Sequence, residues 1–96
     1  MSDDLTPEEE AERQERSRRL DEDAWRALLS ERWGRRIVWR QLAACGVYRT
    51  TFTGEPLSSA FQEGQRSIGL SILSSVMDVA PAALPLMQAE AEDDEK

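Results

Sequence analysis

The chain has 96 residues, a formal net charge of -7, a mean hydropathy of -0.60 and no histidine. This length holds one compact domain and leaves no room for a second core of any size. The longest apolar runs fall well short of the roughly 20 residues that a membrane-spanning helix requires. The missing histidine removes the commonest general base, the usual partner of a serine or cysteine nucleophile, and the commonest metal ligand. We therefore predict a non-enzymatic protein without a metal or a cofactor.

The first residues of the chain predict a protein that stays in the cytoplasm where it is made. The acidic opening Met1-Ser2-Asp3-Asp4 lacks the positive charge of a secretory signal. Cys45 is the only cysteine, so an internal disulfide is excluded. A lone thiol among apolar neighbours is typical of core packing.

Charge is unevenly distributed along the chain. Residues 3–12 and 90–95 are acidic, whereas residues 13–89 carry eleven arginines and eight acidic residues. Arginine favours planar, bidentate and stacked contacts, which suit interfaces with carboxylates, phosphates or aromatic rings. Acidic ends on a slightly basic body resist unspecific binding to nucleic acid.

The N-terminal segment is predicted to form a solvated helix. Thr6-Pro7-Glu8-Glu9 combines a hydroxyl cap, a proline at the first helical position and a glutamate three residues after the cap. Almost nothing is apolar from there to Arg19, and three pairs of glutamate and arginine support the helix by roughly 0.2–0.5 kcal/mol each. These pairs are Glu9/Arg13, Glu12/Arg16 and Glu15/Arg19. Such a helix is marginal alone, so it frays, continues into the next helix or continues into a partner.

Two apolar helices follow. The packed part begins near Leu20, where Asp21 or Asp23 can cap a helix that Ser30 interrupts. A second helix runs from about Glu31 to Ala44 and ends at Gly46, in the left-handed C-terminal position. The apolar residues of the first helix are Trp25, Leu28 and Leu29. One face of the second helix carries Gly34, Ile37, Val38, Leu42 and Cys45. Trp39 lies on the flank of that face, whereas Arg36 and Arg40 point away from it.

Residues 47–56 have the β-branched and aromatic content of an extended connection, and a turn at Gly54 closes it. A single short strand has no visible partner elsewhere in the sequence, so a sheet would leave its backbone groups unpaired. We predict an ordered loop.

The strongest helical period runs from about Ser59 to Ala80, behind the capping-box pattern Ser59-Ala60-Phe61-Gln62. Gly64 and Gly69 each cost roughly 1 kcal/mol relative to alanine inside a helix, so we expect both to admit a close neighbour. Pro81 ends this central helix. The predicted core face of the central helix is Phe61, Ile68, Ile72, Val76 and Val79. We predict a short last helix that carries Leu84, Leu86 and Met87 and precedes the acidic tail.

The predicted fold is an all-α bundle of three or four short helices, with an ordered loop between the second and the third and with flexible acidic ends. The predicted divisions are a charged N-terminal segment at 1–19, either a solvated helix or disordered, a helical domain at 20–88 and an acidic tail at 89–96. The tail lacks the spaced ligands and the turn glycine of a calcium loop, which favours a solvated segment over a cation site.

Two groups of residues are candidate interfaces. Large aromatic residues and arginines between Trp33 and Phe52 are of the types that dominate binding hot spots, although aromatics in small domains usually wrap the core. The central helix also has a second apolar side, which either the last helix or another protein chain covers. The candidate interface set is Trp39, Arg40, Tyr48, Arg49, Phe52, Arg66, Leu70 and Met77.

A different class of function rests on the arginines of the second helix. Arg32, Arg35, Arg36 and Arg40 can contact nucleic-acid phosphates. They spread over more than half of the helix circumference, and Glu31 and the acidic ends offset them. Nucleic-acid binding therefore stays the alternative interpretation.

Four stretches resemble a family of short tailed-phage proteins that is named after a Bordetella phage product. They are Gly34-Arg35-Arg36-Ile37-Val38-Trp39-Arg40-Gln41-Leu42, Cys45-Gly46-Val47-Tyr48-Arg49, Thr51-Phe52-Thr53-Gly54 and Phe61-Gln62-Glu63-Gly64-Gln65-Arg66-Ser67-Ile68-Gly69. The resemblance covers about residues 20–88 and implies a small helical phage domain. It implies no catalytic residues. The motif positions Gly34, Gly46, Phe61, Glu63 and Gly64 fit packing, capping and a Glu63/Arg66 pair as well as they fit partner contact.

The genes of this family lie among those for the phage head, portal and tail, which implies a role in the virion or in particle assembly. The expected partners are phage structural proteins or a second copy of the chain, in the host cytoplasm or the virion. The alternative is a small regulatory protein that binds nucleic acid or a host factor through its arginines.

Overall fold

The structure is a computed structural model that describes residues 4–47 and 56–96. It contains four helices, α1 (Pro7–Leu29), α2 (Arg32–Ala44), α3 (Pro56–Val79) and α4 (Ala83–Asp94). The described ranges contain no strand, and the prediction of an all-α bundle is confirmed. The loop predicted at 47–56 lies outside the described residues, apart from its two ends.

α1 is one continuous helix of 23 residues. The Thr6 hydroxyl accepts a hydrogen bond from the Glu9 backbone N–H at 3.2 Å, so the predicted cap is confirmed. Ser30 ends the helix, and its N–H donates to the Arg26 carbonyl at 3.0 Å. The N-terminal segment thus continues into the next helix, because ion pairs from Arg18 to Glu22 and from Arg26 to Glu22 join the two parts.

The surface of α1 carries fewer of the predicted ion pairs than expected. Arg19 Nε lies 3.4 Å from Glu15, so this predicted pair forms. No ion pair within the described residues joins Glu9 to Arg13 or Glu12 to Arg16, and those two predictions were wrong. The short pairs centre instead on Arg18, which binds both Glu15 and Glu22 and lowers the pKa of Glu15 by hydrogen bonding.

α2 ends in a Schellman motif built on Gly46, whose φ is 71°. The Gly46 N–H donates to the Ala43 carbonyl at 3.1 Å, and the Val47 N–H donates to the Leu42 carbonyl at 3.3 Å. The predicted left-handed glycine is therefore confirmed. The turn brings Val47 back against Leu42, and both side chains are buried.

α3 and α4 begin at positions that their prolines favour. α3 starts at Pro56, three residues before the predicted Ser59, because proline suits the first helical position. α4 has Pro85 in its first turn, where the backbone N–H has no partner within the helix in any case. None of the described helices is long and apolar enough to cross a bilayer by itself, whereas α3 and α4 reach those limits jointly across a 116° bend.

All four helices contribute to one core. Partly buried residues surround it, among them Trp25, Trp39 and Cys45, so the thiol takes part in packing as predicted. Apolar burial of this kind stabilises the fold by about 25 cal/mol per Å² removed from water. The buried apolar side chains are Leu29, Val38, Leu42, Val47, Val76, Ala83 and Met87.

Two glycines permit the helix crossings. A Cβ on Gly34 would lie 2.0 Å from the carbonyl oxygen of Leu28, at the junction of α1 and α2. A Cβ on Gly69 would lie 2.6 Å from Cys45 Cβ, where α3 crosses the end of α2. The close approach predicted at Gly69 is confirmed. At Gly64 the described chain supplies no such neighbour, because none of its atoms lies within 4 Å of the position of a Cβ.

Only the C-terminal half of α3 packs in the core. Phe61 and Ile68, predicted to face the core, are 68% and 63% exposed, whereas Val76 is fully buried. The reason is the position of the crossing at Gly69: residues from there to Val79 lie beside α1 and α2, and residues 57–68 extend past the end of α2. We call residues 57–68 the overhang of α3.

Two further predicted core positions are exposed. Ile37 lies one residue before buried Val38, and a helical step of about 100° turns it away from the core. Leu20 is exposed as well, so packing in α1 begins at Trp25 rather than at Leu20. On α4, Leu86 faces outward while Leu84 and Met87 contact the core.

Substitution of Gly34 by alanine tests the first crossing. The new methyl group would meet the backbone of Leu28 as well as its side chain, and the backbone cannot move aside like the end of a flexible side chain. We expect Gly34→Ala to lower the free energy of unfolding by about 1–3 kcal/mol, measured by urea denaturation. The matched variant Gly64→Ala fills open space and should raise it by about 0.5–1 kcal/mol. Equal effects would contradict the assigned crossing.

Candidate interaction surfaces

An arginine–carboxylate network joins α2 to α4. Arg32, Arg35 and Arg36 share one side of α2 because they are three and four residues apart. Glu90, Asp93 and Asp94 have the same spacing on α4. The two sets face each other, so each acidic residue finds an arginine.

Arg35 is the centre of this network. Its Nε and Nη2 donate to the two carboxylate oxygens of Glu90 at 2.6 and 3.1 Å, the bidentate geometry that guanidinium favours. Its Nη1 donates to the Leu29 carbonyl at 2.9 Å, at the last residue of α1. Both side chains of the pair are nearly enclosed, with exposed fractions of 13% and 12%. One side chain thus ties three helices together.

The other two arginines form the exposed rim of the network. Arg32 lies 2.9 Å from Asp94, 3.4 Å from Asp93 and 3.5 Å from Glu90. Arg36 lies 2.9 Å from Asp94. More than half of each of these guanidinium side chains is exposed, so each pair contributes little by itself.

The network shifts the pKa of its members in opposite directions. The hydrogen bond from Arg35 lowers the pKa of the Glu90 carboxyl, and the bond from Arg32 lowers the pKa of Asp94. The same bonds raise the pKa of Arg35 and Arg32. All four groups are therefore charged at neutral pH.

These contacts account for the length of α4. The sequence pattern predicts a solvated acidic tail from residue 89, but the helix continues to Asp94. Glu90, Asp93 and Asp94 bind arginines of α2, which offsets the repulsion of like charges along one helix. The acidic C-terminal end thus offsets the arginines of α2, as predicted, and it does so through specific ion pairs.

A groove of about 280 Å³ lies beside the network, between α2 and α4. Trp39 and Arg40, two residues of the predicted interface set, line it. Met87 and Ala91 form part of its apolar lining, while arginines and acidic residues stand at its edge. The groove therefore presents an aromatic ring and a guanidinium group together.

A second predicted surface lies on α3. Leu70 is 37% exposed and Met77 is 48% exposed, and they lie two turns apart on one side of the helix. Arg66 is half-buried on the same side, and Leu73 packs against the core. α4 therefore leaves this side partly open.

The remaining predicted residues lie elsewhere. Tyr48, Arg49 and Phe52 are outside the described residues. Gly34 and Gly46 serve crossing and capping, whereas Phe61, Glu63 and Gly64 lie on the exposed half of α3. Sequence reasoning missed the partners of the arginines, although the matching spacing of 32, 35 and 36 with 90, 93 and 94 was a usable signal. In the described ranges no three histidine, cysteine or acidic residues are grouped to hold a metal ion.

In the residues that the structure describes, the fold and these surfaces define a small all-α protein with one core, two glycine crossings and a third helix that is only partly covered. The chain belongs to the family of Bbp19-like phage proteins, whose family model matches residues 25–89. The predicted resemblance is confirmed, and the chain is a phage protein. No curated protein and no solved structure matches it. The family match ends one residue before Glu90, so the acidic half of the network lies beyond it.

Acid should weaken the network. Glu90 and Asp94 have ordinary pKa values of 4.5 and 3.8, and their folded-state pKa values are lower. Their stabilisation is complete above about pH 4.5 and is lost as the pH falls through the lowered values. We expect Glu90→Gln to lower the urea midpoint at pH 7 and to lose less stability than wild type between about pH 5 and pH 3.

Glu92→Gln is the matched control, because Glu92 is on the same helix and forms no ion pair among the described residues. Its pH profile should follow that of wild type. Identical profiles for Glu90→Gln and Glu92→Gln would contradict the role of Arg35 and Glu90.

Proposed function

We propose that this phage protein is a non-enzymatic component of the virion or of particle assembly, and that it binds phage structural proteins through its helices. The proposal places it in the host cytoplasm during assembly and then in the particle. Family membership supports a role in the phage. The proposed contact surface lies on α3.

The observation that carries the proposal is the open side of α3 at Leu70 and Met77. Both side chains lie on a helix whose neighbours in the described chain leave them accessible. Large apolar side chains that stay exposed on one side of a helix and are rimmed by polar residues are typical of a binding site. Arg66 on the same side adds a guanidinium group of the kind that is enriched at interfaces.

The chemistry of the side chains favours binding over catalysis. The chain has no histidine to act as a general base. The acidic residues with lowered pKa values are held by arginines, and a carboxylate stabilised in its charged form is a weaker base. Cys45 packs against the core.

The network weakens the alternative of nucleic-acid binding. Three of the four arginines of α2 that this alternative requires are paired with carboxylates of α4. Phosphates would have to displace these carboxylates, and Arg40 alone remains outside the ion pairs of the described chain. The alternative predicts affinity for DNA that falls steeply between about 50 and 200 mM salt.

Complementation of a phage with a nonsense mutation in this gene tests the proposal. Wild-type protein should restore the particle yield, whereas Leu70→Asp and Met77→Asp should restore at most about a tenth of it, because a desolvated carboxylate disfavours an apolar contact. Gln88→Asp is the control, since Gln88 is exposed and lies on α4, outside both open sides of α3. Circular dichroism establishes that each variant is folded.

Particle composition gives the decisive outcome. Immunoblots of purified wild-type particles and of head and tail intermediates should contain the protein. Full complementation by folded Leu70→Asp and Met77→Asp would reject the proposed surface. Normal particles without the gene, together with salt-sensitive DNA binding by the pure protein, would favour the regulatory alternative.

A further inference from the structure

The overhanging half of α3 presents a second uncovered apolar surface. Leu57 is 82% exposed, Phe61 68% and Ile68 63%. These residues and Gly64 occur at intervals of four, three and four residues, so they follow one side of the helix. We call Leu57, Phe61, Gly64 and Ile68 the Phe61 stripe. It differs from the Leu70 and Met77 side, which a helical turn of 100° per residue places on the opposite side of α3.

The composition of α3 around this stripe is that of a contact surface. The whole chain is 32% charged, yet the 24 residues of α3 include only Glu63, Arg66 and Asp78 as charged residues. Glu63 and Arg66 lie on the far side of the helix from the stripe. Ala60, Ser67 and Ser71 border it on one side, and the uncharged Gln65 borders it on the other. Depletion of charge around aromatic and aliphatic side chains is typical of an interface core.

No packing contact within the described chain explains the glycine at position 64. Glycine inside a helix costs roughly 1 kcal/mol relative to alanine, and a helical glycine usually has a packing or functional reason. No neighbouring atom lies within 4 Å of the position that its Cβ would take. A helix from another molecule can approach the backbone closely at this point.

When two α3 helices are placed antiparallel, the apolar residues of one Phe61 stripe face the apolar residues of the other. A two-fold axis between Gly64 and Gln65 places Phe61 of one helix opposite Ile68 of the other. The same axis places Leu57 opposite Ile72, which is half-buried. An isologous dimer requires such a surface, because the same patch must serve both copies.

The distribution of charge also allows a second copy. Each chain carries a net charge of -7, which opposes association. Within residues 57–68 the charged residues are Glu63 and Arg66, which have opposite signs, so this half of α3 carries no net charge. The carboxylates of α4 are paired with arginines. The overhang thus brings together the least charged parts of two copies.

We propose that two copies of this chain pair in antiparallel fashion through the Phe61 stripe, with Gly64 at the crossing of the two α3 helices. The dimer uses a different side of α3 from the one assigned to phage structural proteins. A dimer therefore presents two copies of the Leu70 and Met77 side. Its existence does not depend on the proposed function.

Native mass by light scattering, from about 1 to 100 µM protein, tests the pairing. We expect wild type to approach the mass of a dimer as concentration rises. Phe61→Asp should raise the dissociation constant at least tenfold while leaving the thermal midpoint of the monomer unchanged, because the side chain contacts water in the monomer. Leu70→Asp should dimerise like wild type, and a failure of the proposed function would leave this result unaffected.

Gly64→Leu is the second variant, and it keeps the test open if Phe61→Asp fails to fold. A large side chain at the crossing should separate the helices and weaken the dimer, while it raises the helical propensity of the monomer. A monomeric wild type throughout the concentration range would overturn the pairing. So would a dimer insensitive to both variants, or a wild-type monomer that binds lipid vesicles through Phe61.

Disulfide cross-linking in a Cys45→Ala background tests the direction of the pairing. Phe61→Cys and Ile68→Cys should each cross-link poorly alone, because like positions are about 10 Å apart along the axis of an antiparallel pair. A mixture of the two should cross-link at least fivefold more. Efficient cross-linking of each variant with itself would indicate parallel helices and contradict the proposed axis.

Discussion

The contact on which the arrangement of helices most depends is that of Arg35. Its guanidinium group binds both oxygens of Glu90 and the last carbonyl of α1, and so it connects α1, α2 and α4 in one nearly enclosed position. A buried ion pair is costly unless its remaining hydrogen-bonding groups find partners, and here the backbone carbonyl of Leu29 supplies one. Removal of either partner would leave a charge in a site from which water is largely excluded. Arg32 and Arg36 extend the same contact toward solvent and hold the acidic end of the chain as a helix.

The two glycine crossings determine which surfaces are left for partners. Gly34 brings α2 against the end of α1, and Gly69 brings α3 against Cys45 and Val47. Because the second crossing is near the middle of α3, the C-terminal half of that helix enters the core and the N-terminal half extends beyond it. Exposed Phe61 and Ile68 are thus a consequence of where one glycine lies. The extents of the molecule, 52 × 37 × 19 Å, reflect these overlaps at only part of each helix.

In this Bbp19-like phage protein, the helix sides that hold the fold together differ from the helix sides that stay exposed. The core and the arginine network occupy the sides of the helices that face one another, while two opposite sides of α3 stay open. The proposed dimer and the proposed contact with phage structural proteins use separate surfaces, so one protein can make both contacts at once.

The sequence by itself determined the local structure of this protein. Thr6 and Gly46 identify a helix start and a helix end, and the period of apolar residues identifies α2 and α3, because caps and periodicity are local properties of the chain. Tertiary structure alone decided which half of α3 is buried and which carboxylates bind Arg35. Those outcomes depend on where helices cross and on pairs of residues more than fifty positions apart, such as Arg35 and Glu90. A helical period specifies the side of a helix that is apolar, but the neighbour that covers it is a matter of packing.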